Sequence, residues 1–294
     1  MVALLGLTWG GAFLGIEMAL RGITPFWLAA ARIGLASSLM LAIIAYRGVP
    51  LFADPDAPKP WGMLLQIGAL STAVPFMLLS WGQQYVTSGF AGVSMASVAL
   101  MVLPMAHFLI PGERLNWRKT LGFSAGFIGI LLLIGARAFD SSGGELEIAG
   151  RIACIVAAGC YAISSVYMRK LPAVDPIALS GWLLVIGAVI VIPAAYIIEG
   201  PPKMPSAQTA TWLLLLGLFP TAMANLLRVL VIRSAGPVFM SLTNYQVPIW
   251  SILLGALVLS EPLPGSLLLS LALVLSGVAL SQWDTFKATF AKPN

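Results

Sequence analysis

The feature that most constrains this chain is a series of apolar runs, each about as long as the 20 residues that a membrane-spanning helix needs. Because the runs are continuous rather than alternating, and every backbone N–H and C=O in hydrocarbon needs an internal partner, they predict helices and not barrel strands. The sequence therefore predicts an all-α integral membrane protein. Ten spans are predicted, at about 2–20, 26–46, 61–82, 88–110, 117–137, 148–168, 177–198, 211–232, 237–259 and 265–283.

Composition excludes several classes of protein. Ten spans take roughly 200 of the 294 residues, which leaves connections of about ten residues and no room for a folded domain outside the membrane. With 59% hydrophobic and 9% charged residues, a soluble enzyme, a receptor with an ectodomain and a nucleic-acid binder are all disfavoured. Cys154 and Cys160 lie within one apolar run and are expected to pack there, without a disulfide, metal or cofactor.

Lys and Arg collect at one set of connections. With the N-terminus inside, one side of the membrane holds ten of them and the other four, so the positive-inside rule predicts that both termini are cytoplasmic. The first run lacks a basic leader region and a cleavage site, and it is therefore expected to be the first span. The ten are Arg47, Lys59, Arg114, Arg118, Lys119, Arg169, Lys170, Arg233, Lys287 and Lys292, and the four are Arg21, Arg137, Arg151 and Lys203.

The two halves of the chain share landmarks. Trp61 matches Trp212 at an offset of 151 positions, and Pro104 before Glu113 recurs as Pro248 before Glu261. Trp9 and Pro25 likewise match Tyr161 and Pro176. If each half has five spans, the second half crosses the membrane in the opposite sense. The sequence therefore predicts two inverted repeats, 1–140 and 141–294, with a substrate site near the bilayer midplane and alternating access.

These residues resemble the EamA-type members of the drug/metabolite transporter superfamily over essentially the whole chain. The motifs that carry the resemblance are Thr8-Trp9-Gly10, Pro25 with Arg32, Pro104 before Glu113-Arg114-Leu115, and Pro248 before Glu261-Pro262-Leu263. Within that superfamily the chain looks most like the YddG-type exporters of aromatic amino acids. The resemblance implies efflux from the cytoplasm through a central cavity.

Helical spacing nominates residues for that cavity, because an amphipathic substrate needs aromatic walls and a few polar groups. Trp9, Phe13 and Glu17 form one stripe, and Thr221, Asn225 and Arg228 form another. The third span adds Phe76, Ser80, Gln83 and Gln84. The predicted substrate-binding residues are Trp9, Phe13, Ser80, Gln84, Tyr85, Tyr161, Asn225, Asn244, Tyr245 and Trp250.

Charged residues at depth are expected to have partners or water, since an isolated charge at the bilayer centre costs at least about 2.5–3.5 kcal/mol. Glu17 and Arg32 are candidates for an ion pair at the outer entrance, with a Glu17–Arg21 pair or snorkelling as the alternatives. Arg228 either attracts a substrate carboxylate or snorkels. His107 is either a proton-coupling group or an interfacial hydrogen-bonding residue.

Prolines and closely spaced glycines are expected to shape the spans. Pro75, Pro104, Pro193, Pro220 and Pro248 each remove a helix hydrogen bond and permit a kink. The small-xxx-small pairs Gly6/Gly10, Gly11/Gly15 and Gly122/Gly126 predict close helix contacts within one molecule.

We interpret the chain as an inner-membrane exporter of amino acids. Its expected substrates are aromatic and other hydrophobic amino acids, with threonine and methionine as further candidates. Its partners are a small-molecule substrate and lipid, with no nucleic acid and a monomer or weak homodimer. An enzyme is not expected, because no phosphate-binding loop, metal-binding pair or nucleophilic triad occurs. The alternatives are an exporter of other amphipathic metabolites or toxic cations, and a non-transporting scaffold or receptor.

Overall fold

The computed structural model describes residues 2–48, 50–52, 59–109, 116–135, 146–172, 174–228, 243–281 and 283. Within these ranges the chain forms helices and no strand, apart from an isolated antiparallel bridge between Phe52 and Val174. The helices are α1 (Val2–Leu20), α2 (Pro25–Arg47), α3 (Trp61–Gly82), α4 (Ser88–Leu109), α5 (Trp117–Gly135), α6 (Glu147–Arg169), α7 (Pro176–Glu199), α8 (Ala207–Arg228), α9 (Thr243–Leu259) and α10 (Gly265–Ser281).

The outer surface of the bundle is apolar, as contact with lipid requires. Large side chains such as Leu257, Ile197 and Val189 are mostly exposed. Among the described residues, seven helices are long and apolar enough to cross a membrane, and shorter apolar helices cover Gln246–Leu259 and Gly265–Leu280. The prediction of an all-helical membrane protein is confirmed at this level, while the count of ten crossings stays a prediction.

The helices pack in pairs that join the two halves of the chain. The most extensive contacts are α5 with α10, α3 with α6, α2 with α7, α4 with α9, α1 with α9, and α4 with α6. Glycines permit some of these close approaches. A Cβ on Gly277 of α10 would lie 2.4 Å from the carbonyl oxygen of Gly122 on α5, and one on Gly10 would lie 2.5 Å from the Cβ of Trp250.

The described interior contains five buried apolar clusters, and two of them flank the candidate site. One, here called the α2–α7 core, contains Ile33 and Met40 of α2 and Leu184 and Val191 of α7, with α3 and α8 against it. The other, here called the α4–α9 core, joins α1, α3, α4, α6, α9 and α10 around residues such as Phe90. Only α3 supplies fully buried residues to both cores within the described ranges. The boundary between these two cores is here called the seam, and a third cluster that joins α1, α2 and α8 around Leu28 bridges part of it. Polar side chains gather along the seam.

Prolines coincide with irregular turns in α3 and α8. A π-helical segment covers Ala69–Ala73, directly before Pro75, and another covers Gly217–Met223 and contains Pro220. Such segments widen the helix by one residue per turn and redirect side chains. Pro104, Pro193 and Pro248 lie inside α4, α7 and α9, as the sequence predicts.

Carboxylates from distant parts of the chain cap two helix N-termini, whose free N–H groups need acceptors. Glu199, at the end of α7, accepts from the backbone N–H groups of Phe26 and Trp27, both at 3.0 Å. Glu261, between α9 and α10, accepts from Ser88 at 2.8 Å and Gly89 at 3.1 Å. These caps fasten the starts of α2 and α4 to the opposite half of the chain.

Candidate functional site

The polar centre of the seam is Arg32 of α2. Its side chain is only 5% exposed, and its Nε–H donates to the Thr221 hydroxyl at 3.2 Å. The guanidinium lies over the ring of Phe76, 4.3 Å from the ring centroid. Thr221 in turn donates to the Leu216 carbonyl at 2.8 Å, a bond that the π-helical segment of α8 makes possible. Residues from α2, α3 and α8 therefore hold this guanidinium in one place.

The charge of Arg32 is incompletely compensated. Among the described residues no carboxylate pairs with it, and only one of its five N–H donors has a hydrogen-bond partner. A desolvated cation–π contact contributes about 2 kcal/mol. Removing a charge from water without a counter-charge costs several kcal/mol. The remaining donors are thus available to a ligand.

Tyr161 of α6 is an electrostatic neighbour of this guanidinium. The phenol lies within electrostatic range of both Arg32 and Arg228, and it is partly buried against the α4–α9 core. Within the described chain Arg228, like Arg32, forms no ion pair with a carboxylate. Tyr161 is therefore an electrostatic neighbour of two arginines, Arg32 and Arg228.

Trp9 and Asn225 complete the wall. The Trp9 indole N–H donates to the Pro220 carbonyl at 3.1 Å, which links α1 to the π-helical segment of α8. The Asn225 amide donates to the Thr221 carbonyl at 2.8 Å. Both side chains are partly buried. Predicted candidates Trp9, Tyr161 and Asn225 are therefore brought together around one polar centre.

The site lies well inside the helices. Arg32 is seven residues from the start of α2, and Phe76 is six residues from the end of α3. At about 1.5 Å per residue, both lie roughly 10 Å along the axis from the nearer helix end. The walls also belong to different bodies, since Phe76 packs on the α2–α7 core and Trp9 and Tyr161 pack on the α4–α9 core.

Of the alternatives for Glu17, the ion pair with Arg32 is not formed in the described structure. Arg32 is engaged by Phe76 and Thr221, whereas the electrostatic neighbours of Glu17 are Glu261 and Arg21. The physical reason is that the side chain of Arg32 is directed towards α3 and α8.

The third span presents Gln83 to the interior instead of Gln84. Gln83 is 2% exposed and donates to the Phe13 carbonyl at 3.0 Å, while its Oε1 atom is buried with no partner in the described structure. Gln84 is exposed and reaches only the Trp81 carbonyl at 3.4 Å. Phe13 is itself packed in the α4–α9 core. Ser80 is fully buried and its hydroxyl also has no partner in the described structure.

The remaining candidates lie elsewhere or fall outside the description. Trp250 is partly buried where α9 packs against Gly10. His107 stacks edge-on against Phe108, with 4.9 Å between ring centroids, near the end of α4. Asn244 and Tyr245 belong to α9, but their side chains lie outside the described part of the structure.

Tyr85 lines a separate small pocket of about 110 Å³ at the end of the bundle. Glu147 and Arg151 form an ion pair there, and the guanidinium lies 5.5 Å from the ring centroid of Phe90. Tyr85 therefore lies in a different place from Tyr161, with which the sequence grouped it.

Two residues of the polar centre, Phe76 and Thr221, stand out in the sequence only as members of polar or aromatic stripes. Their importance depends on the π-helical segments, which no apolar periodicity reveals. The nearby prolines, Pro75 and Pro220, were the available signal.

Comparison with known proteins adds an independent line of evidence. The model of the EamA-like transporter family matches residues 1–135 and again residues 148–283. The uncharacterized transporter YoaV of Bacillus subtilis is 23% identical over 280 residues, which cover 94% of this chain and 93% of YoaV. The uncharacterized inner membrane transporter YedA of Escherichia coli is 27% identical, with 93% and 87% covered.

Two further comparisons also cover most of this chain. The protein PecM of Dickeya dadantii is 25% identical, over 84% of this chain and 82% of PecM. A solved crystal structure superposes with a TM-score of 0.68 at 21% identity, covering 98% of this chain and 97% of that one. At this identity the structural likeness establishes the fold alone.

Proposed function

The chain belongs to the EamA-like transporter family, and from that premise we propose that it exports amino acids, chiefly aromatic and other hydrophobic ones, by alternating access. The resemblance to the drug/metabolite transporter superfamily is confirmed by the family match and by relatives such as YoaV and YedA. Membership makes the protein a multi-pass membrane transporter. The substrate, the mechanism and the orientation are our proposals.

Alternating access is supported by the two separate cores. Rigid-body rocking of repeats needs bodies that are each well packed and that meet along a polar surface. The α2–α7 core and the α4–α9 core meet that description, and the polar centre around Arg32 lies between them. A relative tilt of the two bodies would expose that centre to one side of the membrane at a time.

The proposed pair of inverted repeats, 1–140 and 141–294, is supported by the double family match and by the packing. Helix α1 packs on α9 as α6 packs on α4. The contacts of α2 with α7, α4 with α9 and α5 with α10 each join helices five places apart in the chain. This pattern is expected if a pseudo-twofold axis relates the halves. Both termini are proposed to be cytoplasmic, following the Lys/Arg distribution.

Amino acids are proposed as cargo because the walls of the seam are aromatic and the polar groups are few. Trp9, Phe76 and Tyr161 offer rings, while Asn225 and Thr221 offer hydrogen bonds. Such a mixture suits a small zwitterion with an apolar side chain. No enzymatic step is proposed, so net flux must follow the gradient of the substrate or of a coupled ion.

The test is flux through purified protein in liposomes loaded with labelled phenylalanine, threonine or tetraphenylphosphonium, with and without a pH gradient. Phenylalanine efflux above that of protein-free liposomes is the expected result. Tyr161→Ala should reduce it, whereas Leu257→Ala should not, because Leu257 is 80% exposed on the outer surface. Transport of tetraphenylphosphonium alone would replace the amino-acid proposal with a cation exporter.

A further inference from the structure

The position of Arg32 bears on which charge the cargo carries. An arginine that is 95% buried among helices is retained only where something compensates its charge. Phe76 covers one face of the guanidinium, and the Thr221 hydroxyl accepts from its Nε–H. The terminal N–H groups have no hydrogen-bond partner among the described residues. These donors form the planar fork that matches a carboxylate.

Packing alone does not account for an arginine here. The position 151 residues later in the chain is Leu183 on α7, which is buried in the corresponding helix. Thr72, in the π-helical segment of α3, donates to the Leu183 carbonyl at 3.1 Å, just as Thr221 contacts Arg32 from the π-helical segment of α8. The threonine of α3 therefore donates to the backbone of a leucine, whereas the threonine of α8 accepts from the side chain of an arginine.

The second arginine strengthens the argument. Arg228 is partly buried on α8, and Tyr161 lies within electrostatic range of both guanidinium groups. No described acid is paired with either arginine. Glu17, the acid on the neighbouring helix, is associated with Arg21 and Glu261. The seam is thus electropositive and disfavours a cation.

We propose that Arg32 binds the carboxylate of the cargo, so that this carrier takes anions and zwitterions bearing a carboxylate and rejects amines that lack one. The proposal rests on the proposed export function for its cargo, but the binding chemistry is testable separately. Arg228, which also interacts electrostatically with Tyr161, adds attraction for an anion. Phe76 supplies a surface for an apolar substituent beside the carboxylate.

The experiment measures thermal stabilisation of the purified protein by three matched probes. L-phenylalanine has both charges, 3-phenylpropionate has only the carboxylate, and phenethylamine has only the amine. The first two should raise the unfolding midpoint and phenethylamine should not. Equal stabilisation by phenethylamine, or no stabilisation by either carboxylate, would overturn the proposal.

Variants assign the effect to Arg32. Arg32→Leu places in α2 the residue found at the related position of α7, and it is expected to fold and to lose at least tenfold in apparent affinity for 3-phenylpropionate. Arg32→Lys keeps the charge but not the fork, and should lose less. The control Arg21→Gln removes an exposed arginine and should bind like the unmodified protein. Arg32→Leu protein that folds and still prefers carboxylates would contradict the assignment.

The same proteins distinguish this proposal from that of amino-acid export. Stabilisation by 3-phenylpropionate that depends on Arg32, without phenylalanine flux in liposomes, would retain the carboxylate site and reject amino acids as cargo. Phenylalanine flux that is unchanged in Arg32→Leu would retain export and reject the carboxylate site.

Discussion

The link between Glu199 and the start of α2 allows a quantitative prediction about what fastens the halves together. Glu199→Ala removes one carboxylate, which accepts hydrogen bonds from the N–H groups of Phe26 and Trp27 and from the hydroxyl of Thr24. Hydrogen bonds to a charged group contribute about 1.5–3 kcal/mol each, and a helix cap about 0.5–2 kcal/mol. Because the group is partly exposed, water replaces part of the loss. We expect destabilisation of about 2–4 kcal/mol.

The chain provides its own reporter for this measurement. Its two cysteines, Cys154 and Cys160, are free and buried in α6, so a thiol-reactive fluorogenic dye labels them only as the protein unfolds. The unfolding midpoint of Glu199→Ala should fall by several degrees. The unfolding midpoint of Glu199→Gln, which keeps one oxygen acceptor, should fall by about half as much.

Lys203→Gln is the matched control, because it also removes a charge from the same connection but lies exposed. Its midpoint should not change. If Glu199→Ala unfolds at the same temperature as this control, the carboxylate is not a stabilising cap and the reasoning fails.

Three further predictions follow from local geometry. Ser260 has φ 55°, in the left-handed region that favours glycine, so Ser260→Gly should stabilise the protein by up to about 1 kcal/mol, with a higher dye-labelling midpoint; a lower midpoint would contradict this. Gly277→Ala should destabilise it by about 1–3 kcal/mol, because the new Cβ meets helix backbone, whereas Gly34→Ala has open space and should not lower the midpoint; equal effects would refute the packing argument. Trp9→Phe removes the indole donor to the Pro220 carbonyl and should lower phenylalanine flux about fivefold with normal membrane insertion, and undiminished flux would assign Trp9 to packing alone.

The helical class and most helix boundaries were predictable because lipid imposes a single local rule. Every backbone polar group must be satisfied within its own segment, so length and hydrophobicity together identify a span. The predicted 61–82 and 2–20 agree with α3 and α1 at both ends. The π-helical segments were not predictable in this way, because they depend on how α3 and α8 pack against α7 and α2.

The candidate site was predicted in its residue types but not in its pairings. Trp9 and Asn225, nominated by different helical stripes, both contact the π-helical segment of α8, and their role in binding stays a prediction. The partner of Arg32 was not predictable, because charge complementarity favoured Glu17 and only the rotation of α2 directs the guanidinium to Phe76. A one-residue error likewise exchanged Gln84 for Gln83, since neighbouring residues at a helix end differ in direction by about 100°.

A repeated scaffold explains why the site can be asymmetric without disturbing the fold. The π-helical segments of α3 and α8 each present a threonine to a facing helix, and both contacts are hydrogen-bonded. On α7 the contact uses the backbone of Leu183, so that interface is complete without a polar side chain. On α2 it uses the side chain of Arg32, which leaves further donors in the seam. The contact of α3 with α7 therefore needs no side chain from α7, whereas the contact of α8 with α2 leaves the donors that we propose recognise cargo.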